Sequence, residues 1–496
     1  MGVVIRQSFW GTVIAYMGVV IGYFNTLYLR PEFLSLEEIG LFTLVTANAM
    51  MISPLCGAGM AGTWIKYFPE VRKSPSLKNE FFTFQLLVVV SLTLLILVIG
   101  YLTSDWIVAY FAEKSTEYTK YLAITAVIII VNSLFDLLFS YCRTILSVII
   151  PSFIRDMQLR IGAIILIGGY ALHYWTFDWA VKGLAINYAA ALVVLFAYLF
   201  FTHDFKLSFR FAAIDHVWKK RIFNFGGYAM LLGLSFAAMQ NVSYSQISSQ
   251  LGDSATGIFA TCFFIGMIVE MPRRNMLKVI SPIFSKAMQE NDMEQVHRMY
   301  KKGSITMSIF GALLCIGILT NVEDLFIFIP KGAEFREGYW VIVAICLTKF
   351  VVMLFSFGQE IMVFSNYYKL TLYFQITSAI ILIGLNVWLL PLWGITGAGI
   401  SYMVAILLHT FAKYLFLRTK FNLSPFDKSQ ARLIAISGLV FLLFWYLPFP
   451  FSPVPNIAIR SILTTLVFVT LIFKFDISSD ISQLIKQAFE KVNIKM

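Results

Sequence analysis

Long apolar runs without two-residue alternation, separated by short polar connections, dominate this chain. A helix needs about 20 mostly apolar residues to cross the hydrocarbon core of a bilayer. In lipid the backbone must satisfy its own hydrogen bonds, so only helices and closed barrels span it. Barrel strands would alternate in short segments, and these runs do not. They predict fourteen transmembrane helices, at 8–28, 39–58, 81–102, 118–141, 158–176, 181–201, 222–246, 254–271, 302–320, 339–359, 368–390, 394–417, 431–447 and 456–474. The first follows a short head with one charge, Arg6. Its length, and Tyr28-Leu29-Arg30-Pro31 after it in place of a small-residue cleavage site, predict a retained helix and not a secretory signal.

Composition agrees. Of the 496 residues 59% are apolar and 13% charged, against roughly 25% charged in soluble domains. The net charge of +11 is chiefly an orientation signal. With the N-terminus in the cytoplasm and cations near span ends counted with the nearer side, Lys and Arg number 30 on the inner side and 7 on the outer, with Lys349 inside a span. This positive-inside bias places both termini in the cytoplasm and accounts for the basicity without nucleic acid. No predicted connection exceeds about 30 residues, the size of a loop and far below that of a domain. There is no GxxxxGK[ST], HExxH or GxSxG motif, so neither an ATP motor nor a hydrolase is encoded. Cys56, Cys142, Cys262, Cys315 and Cys346 lie in spans or at their edges without CxxC spacing and read as apolar core residues. No metal or cofactor is expected.

The chain repeats itself at an offset near 217 residues. Gly40-Leu41-Phe42 recurs as Gly257-Ile258-Phe259, and Leu102-Thr103 as Leu319-Thr320. Phe111, Lys114 and Glu117 recur as Phe328, Lys331 and Glu334. Arg6, Gly11 and Gly18 match Arg221, Gly226 and Gly233 at offset 215. The collinear order of these polar and glycine matches divides the chain into a first six-helix lobe (1–205), a cytoplasmic linker (206–221) and a second six-helix lobe (222–420). Two extra helices (421–475) and an amphipathic cytoplasmic tail (476–496) follow. Six is even, so the copies run parallel, as in many transporters with a site between repeats.

The order of short motifs carries a resemblance. An Arg-x-x-x-x-Gly leads into the first span, followed by Leu34-Ser35-Leu36-Glu37-Glu38-Ile39-Gly40-Leu41-Phe42, then Gly57-x-Gly59 and Lys66-Tyr67-Phe68-Pro69-Glu70. The second copy has Leu251-Gly252-Asp253 and the exit Pro272-Arg273-Arg274 through Ser281-Pro282. This resembles the polysaccharide (O-antigen type) flippases of the multidrug/oligosaccharidyl-lipid/polysaccharide (MOP) exporter superfamily, over nearly the whole chain. The resemblance implies an all-α, V-shaped fold like that of the multidrug and toxic compound extrusion (MATE) transporters. It also implies that the chain is no enzyme and exports a polyprenyl-diphosphate-linked oligosaccharide across the bacterial inner membrane. Membrane lipids, and the glycan polymerase and glycosyltransferases of one pathway, would be its partners. A drug or cation exporter of the same fold, and an integral membrane glycan polymerase or acyltransferase, are the competing readings. The first would want a more acidic cavity, the second a large outer loop.

Polar groups inside spans are costly and mark cavities or helix–helix hydrogen bonds. The candidates for a substrate cavity are Asn25, Asn132, Asp136, Gln240, Asn241, Lys349 and Glu360, with Lys66, Arg273 and Arg274 at the cytoplasmic mouths of two spans. Asn132 and Asp136 share a helix face with Arg143, as Lys349 does with Glu360. Lys349, without a charged neighbour in its own span, suits a phosphate as a point charge. Arg30, at the outer end of the first span, reads as a residue snorkelling to the headgroups. Pro272 is expected to end the eighth span, and His409 to be a packed core residue.

Overall fold

The computed structural model describes Ile14 and residues 17–147, 149–202, 205–447 and 450–478. It is built of helices, with no strand among the described residues. Eleven of these helices are long and apolar enough to cross a membrane. One is a 54-residue run broken at Trp393 and Gly394, which leave helical backbone geometry, so it supplies two spans, 368–392 and 395–421. Two further helices, 17–33 and 149–171, carry a five-residue π-helical stretch each and overlap the spans expected at 8–28 and 158–176. The amphipathic tail expected at 476–496 lies outside the described residues from 479 onward.

We name the helices α1 (17–33), α2 (Leu36–Cys56), α3 (Met60–Val71), α4 (Pro75–Leu102), α5 (Leu122–Thr144), α6 (149–171), α7 (Phe177–Thr202), α8 (His216–Leu251) and α9 (Asp253–Met267). They continue as α10 (Met271–Gln289), α11 (Met293–Thr320), α12 (Tyr339–Leu354), α13 (Gly358–Phe364), α14 (368–392), α15 (395–421), α16 (Lys428–Tyr446) and α17 (Pro453–Lys474). Their ends follow local chemistry. Ser35 caps α2 in a box with Glu38, each side chain meeting the other's backbone N–H. Asp215 caps α8 and Asp427 caps α16 through backbone amides.

Packing divides the chain into two compact units. One runs to Ala260 and includes Asn386–Gly394; the other comprises Thr261–Leu385 and the chain from Ile395. The first unit takes in α8, which packs along α2. Within that unit Trp64, Phe81, Phe82 and Tyr141 form a buried aromatic core under α3, α4 and α5. The linker is held to α4: Ala213 N–H donates to the buried Glu80 carboxylate (2.7 Å) and Ser208 N–H to the Thr83 hydroxyl (2.9 Å).

The repeat is visible as a local two-fold contact. A Cβ added to Gly40 would lie 1.9 Å from the Asp253 carbonyl, and one added to Gly257 would lie 2.3 Å from the Leu36 carbonyl. Leu36 and Asp253 are themselves 217 residues apart, as are the two glycines. Equivalent glycines thus let equivalent backbones touch, the self-complementary geometry of an isologous interface. Asn48 donates to the Tyr118 hydroxyl (2.8 Å) and accepts from Ser245, while Asp253 accepts from Ser115 (2.6 Å) and Ser248 (2.8 Å), all buried.

In the second unit α11 is the central helix. Ile305, Ile309, Ala312 and Ile316 pack against Leu433, Val440 and Phe444 of α16 and Phe468 and Ile472 of α17. The two extra helices are anchored there by Asp324, which accepts from Asn456 (2.8 Å) and pairs with Arg460 (3.0 Å). Pro272 does not end the eighth span. A 3₁₀ turn at Ile268–Glu270 interrupts it, and the proline sits in the first turn of α10, where its missing N–H costs nothing.

Candidate functional site

A cavity of about 810 Å³ opens within the first unit. Five sequence candidates line it: Asn25 from α1, Asn132 and Asp136 from α5, Gln240 and Asn241 from α8. Three arginines that the sequence reading did not select join them: Arg30, Arg155 and Arg160, with Asp156. Arg30, expected at the headgroups, instead lies over the Phe42 ring (4.9 Å) beside the Thr43 hydroxyl (3.5 Å). Arg155 lies over Phe139 and 3.5 Å from Asp136. Three guanidinium groups against two carboxylates leave the wall net positive.

The π-helical stretches create this arrangement. Asn25–Leu29 in α1 and Ile154–Gln158 in α6 place Asn25, Arg155 and Asp156 on the cavity wall. Such bulges widen a turn and free backbone groups, which a neighbouring helix must satisfy in lipid. Asn187 of α7 does this: it donates to the Leu159 carbonyl (2.9 Å) and accepts from Gln158 (2.8 Å). Gly162 gives it room, since a Cβ there would lie 2.1 Å from its amide oxygen. Gly18 and Gly22 on one face of α1 clear the way for α6; a Cβ on Gly22 would lie 3.2 Å from Arg160 Nη1. That nitrogen, Arg30 Nε and Asn25 Oδ1 are buried with no hydrogen-bond partner among the described residues. The wall thus carries two unspent donors, Arg160 Nη1 and Arg30 Nε, and one unspent acceptor, Asn25 Oδ1.

The other candidates lie elsewhere. Lys349 is not without a charged neighbour: its ammonium donates to Glu270 (2.7 Å) and to the Tyr402 hydroxyl (2.9 Å) inside the second unit. Glu270 also binds Arg273 (2.9 Å), which lies 3.6 Å from Glu360 and donates to the Ser356 carbonyl (2.7 Å). Arg274 is 3.9 Å from Glu270 and half-exposed. Lys66 is exposed on α3 with its ammonium 3.8 Å over the Phe225 ring, and Arg143 is exposed at the end of α5. His409 Nδ1 lies 3.3 Å from the Phe374 carbonyl in the packed interior. Glu270 had a sequence signal, an acid three and four residues before Arg273 and Arg274. Arg155 and Arg160 had none, because they were indistinguishable from the positive-inside cations around them.

The comparisons with known proteins bear on this site. The family pattern described as polysaccharide biosynthesis protein matches residues 32–328, more than half of the chain. The chain belongs to this polysaccharide biosynthesis family. No curated protein sequence is similar enough to add a relative. Among solved structures, the family member described here shares its fold with the lipid II flippase MurJ in an inward closed conformation. The TM-score is 0.77 at 15% identity, covering 94% of this chain and 98% of that one. An inward-facing multidrug resistance MATE family transporter of the MOP superfamily follows at TM-score 0.62 and 16% identity, covering 84% and 98%. A MOP superfamily transporter from Pyrococcus furiosus, noted for a binding pocket of reversed polarity, matches at 0.57 and 15%, covering 85% and 95%. This polysaccharide biosynthesis protein is therefore a multi-pass membrane protein with the fold of MOP transporters.

Proposed function

We propose that the protein is a flippase for a polyprenyl-diphosphate-linked oligosaccharide in the bacterial inner membrane, working by alternating access with both termini in the cytoplasm. The lobes read from the repeat (1–205 and 222–420) are its two moving halves. Its partners are the lipids around it and the glycan polymerase and glycosyltransferases of the same pathway. The observation that carries the reading is the cavity wall, where Arg30 Nε and Arg160 Nη1 are buried donors with no hydrogen-bond partner among the described residues. A diphosphate leaving water loses its hydration, and buried cations offset that cost. Arginine's planar fork meets two phosphate oxygens at once. The amides of Asn25, Asn132, Gln240 and Asn241 suit sugar hydroxyls. A drug or cation exporter would want an acidic wall, and this one is net positive.

The test is translocation of a fluorescent polyprenyl-diphosphate glycan in proteoliposomes. Arg160→Ala should weaken headgroup binding about 10- to 100-fold, the cost of one charge-assisted contact, at unchanged folding. Undiminished translocation by Arg30→Ala, Arg155→Ala and Arg160→Ala alike would sink the reading.

A further inference from the structure

A second chamber, an apolar groove of about 690 Å³, lies beside the polar cavity in the first unit. One wall is the α4 stripe of Phe84, Leu92 and Leu95; the other is the α8 stripe of Phe223, Gly227 and Met230. Residues 84 to 95 of a helix span about 16 Å, close to half the hydrocarbon thickness. The groove is therefore one leaflet deep. The charge on its lining is Lys219, exposed in the first turn of α8.

The partition between the two chambers is a single turn of chain. Gly57, Gly59 and Ala61 face the polar cavity, whereas Ala58 and Met60 between them face the groove. The turn adopts left-handed backbone at Ala58 (φ 49°) and Gly59 (φ 66°), and it touches α8 backbone to backbone. A Cβ on Gly59 would lie 2.2 Å from the Gly226 carbonyl and 2.7 Å from Met230 N. A cationic chamber for a charged head thus shares a wall one turn thick with an apolar chamber the depth of a leaflet, which carries a lysine at its polar end. That pairing matches one molecule: an amphiphile with an anionic head and a long hydrocarbon chain.

We propose that the groove between α4 and α8 holds the prenyl chain of the lipid carrier while its diphosphate head is loaded past Lys219 toward the cavity. The assignment rests on the flippase reading above and adds to it the place where the tail lies. Gly227 supplies the probe: a Cβ there meets nothing within 4 Å, so Gly227→Leu extends into the groove from open space and carries no helix penalty.

The experiment compares binding of undecaprenyl diphosphate and isopentenyl diphosphate to purified full-length protein, as wild type and as Gly227→Leu with Ser91→Leu, Ser91 being the α4 residue of the groove lining next to Leu92. Wild type should prefer the long chain by more than about tenfold, since a buried chain adds affinity with its area. The variant should lose that preference while its affinity for isopentenyl diphosphate stays unchanged. A preference retained in full by the variant overturns the groove assignment. A diazirine-bearing prenyl chain should label Phe84 and Phe223 of the wild type, which keeps the test independent of how well the variant folds. Equal labelling by a diazirine phosphatidylglycerol overturns the assignment in favour of bulk lipid. Failure of both diphosphates to bind wild type would instead remove the flippase reading itself.

Discussion

At the residue scale, the charged side chains divide by whether their partners are already within the fold. Lys349 is 3% exposed and matched by Glu270 and Tyr402, so its removal strands a buried carboxylate. Lys349→Ala should cost about 3–5 kcal/mol of stability and show as a lower melting temperature in detergent with less folded protein. The double substitution Lys349→Met with Glu270→Gln should recover most of the loss; equal damage by single and double variants would contradict the pairing. Arg160 differs at one nitrogen. Its Nη1 is buried with no hydrogen-bond partner among the described residues, and Arg160→Ala should change ligand affinity far more than melting temperature. The two residues look alike in sequence, each a cation at the edge of or within an apolar run. What separates them is a partner 79 residues away in one case and the described cavity wall in the other.

At the element scale, small residues set how closely helices approach. Gly40 and Gly257 occupy reciprocal positions in one backbone contact, so Gly40→Leu and Gly257→Leu should each lower the melting temperature, by similar amounts, and neither should be tolerated better than the other. A large difference between them would deny the local two-fold. Gly394 works through its own backbone. It holds φ 56° and ψ −142° at the break between α14 and α15, and its missing Cβ faces open space. Gly394→Ala should cost about 1–3 kcal/mol from conformation alone, read by thermal unfolding. The repeat and the glycines were legible in the sequence. The π-helical stretches were not, because a widened turn arises from competition between neighbouring helices and leaves no fixed residue signature.

At the scale of the whole molecule, the alternation of charge along the connections makes a topology that can be checked without a ligand. All five cysteines are buried and free, so they give little background to a water-soluble thiol reagent. Thr116→Cys should label in intact cells, whereas Ser76→Cys should label only after the inner membrane is permeabilised. The reverse pattern would invert the proposed orientation. The extra helices α16 and α17 pack on α11 through an apolar seam, and Arg460 of α17 pairs with Asp324 just beyond the end of α11, so truncation before Lys428 should destabilise the second unit as well as remove two spans.

The all-helical membrane class, the position of most spans and the family were legible in the sequence, because each depends on local hydropathy and on motif order along the chain. Hydropathy is summed over neighbours and survives without knowledge of the fold. Asn25, Asn132, Asp136, Gln240 and Asn241 line one cavity, and each was visible in the sequence as an amide or acid in a span, which must face something polar. Which cations serve the cavity was decided by tertiary structure. Arg30, Arg155 and Arg160 reach it through two widened turns and a face of glycines, while Lys349 is drawn into an ion pair with Glu270. A charge in an apolar span finds its lowest energy beside whichever partner the packing brings within about 3 Å, and that partner's identity is a property of the folded chain.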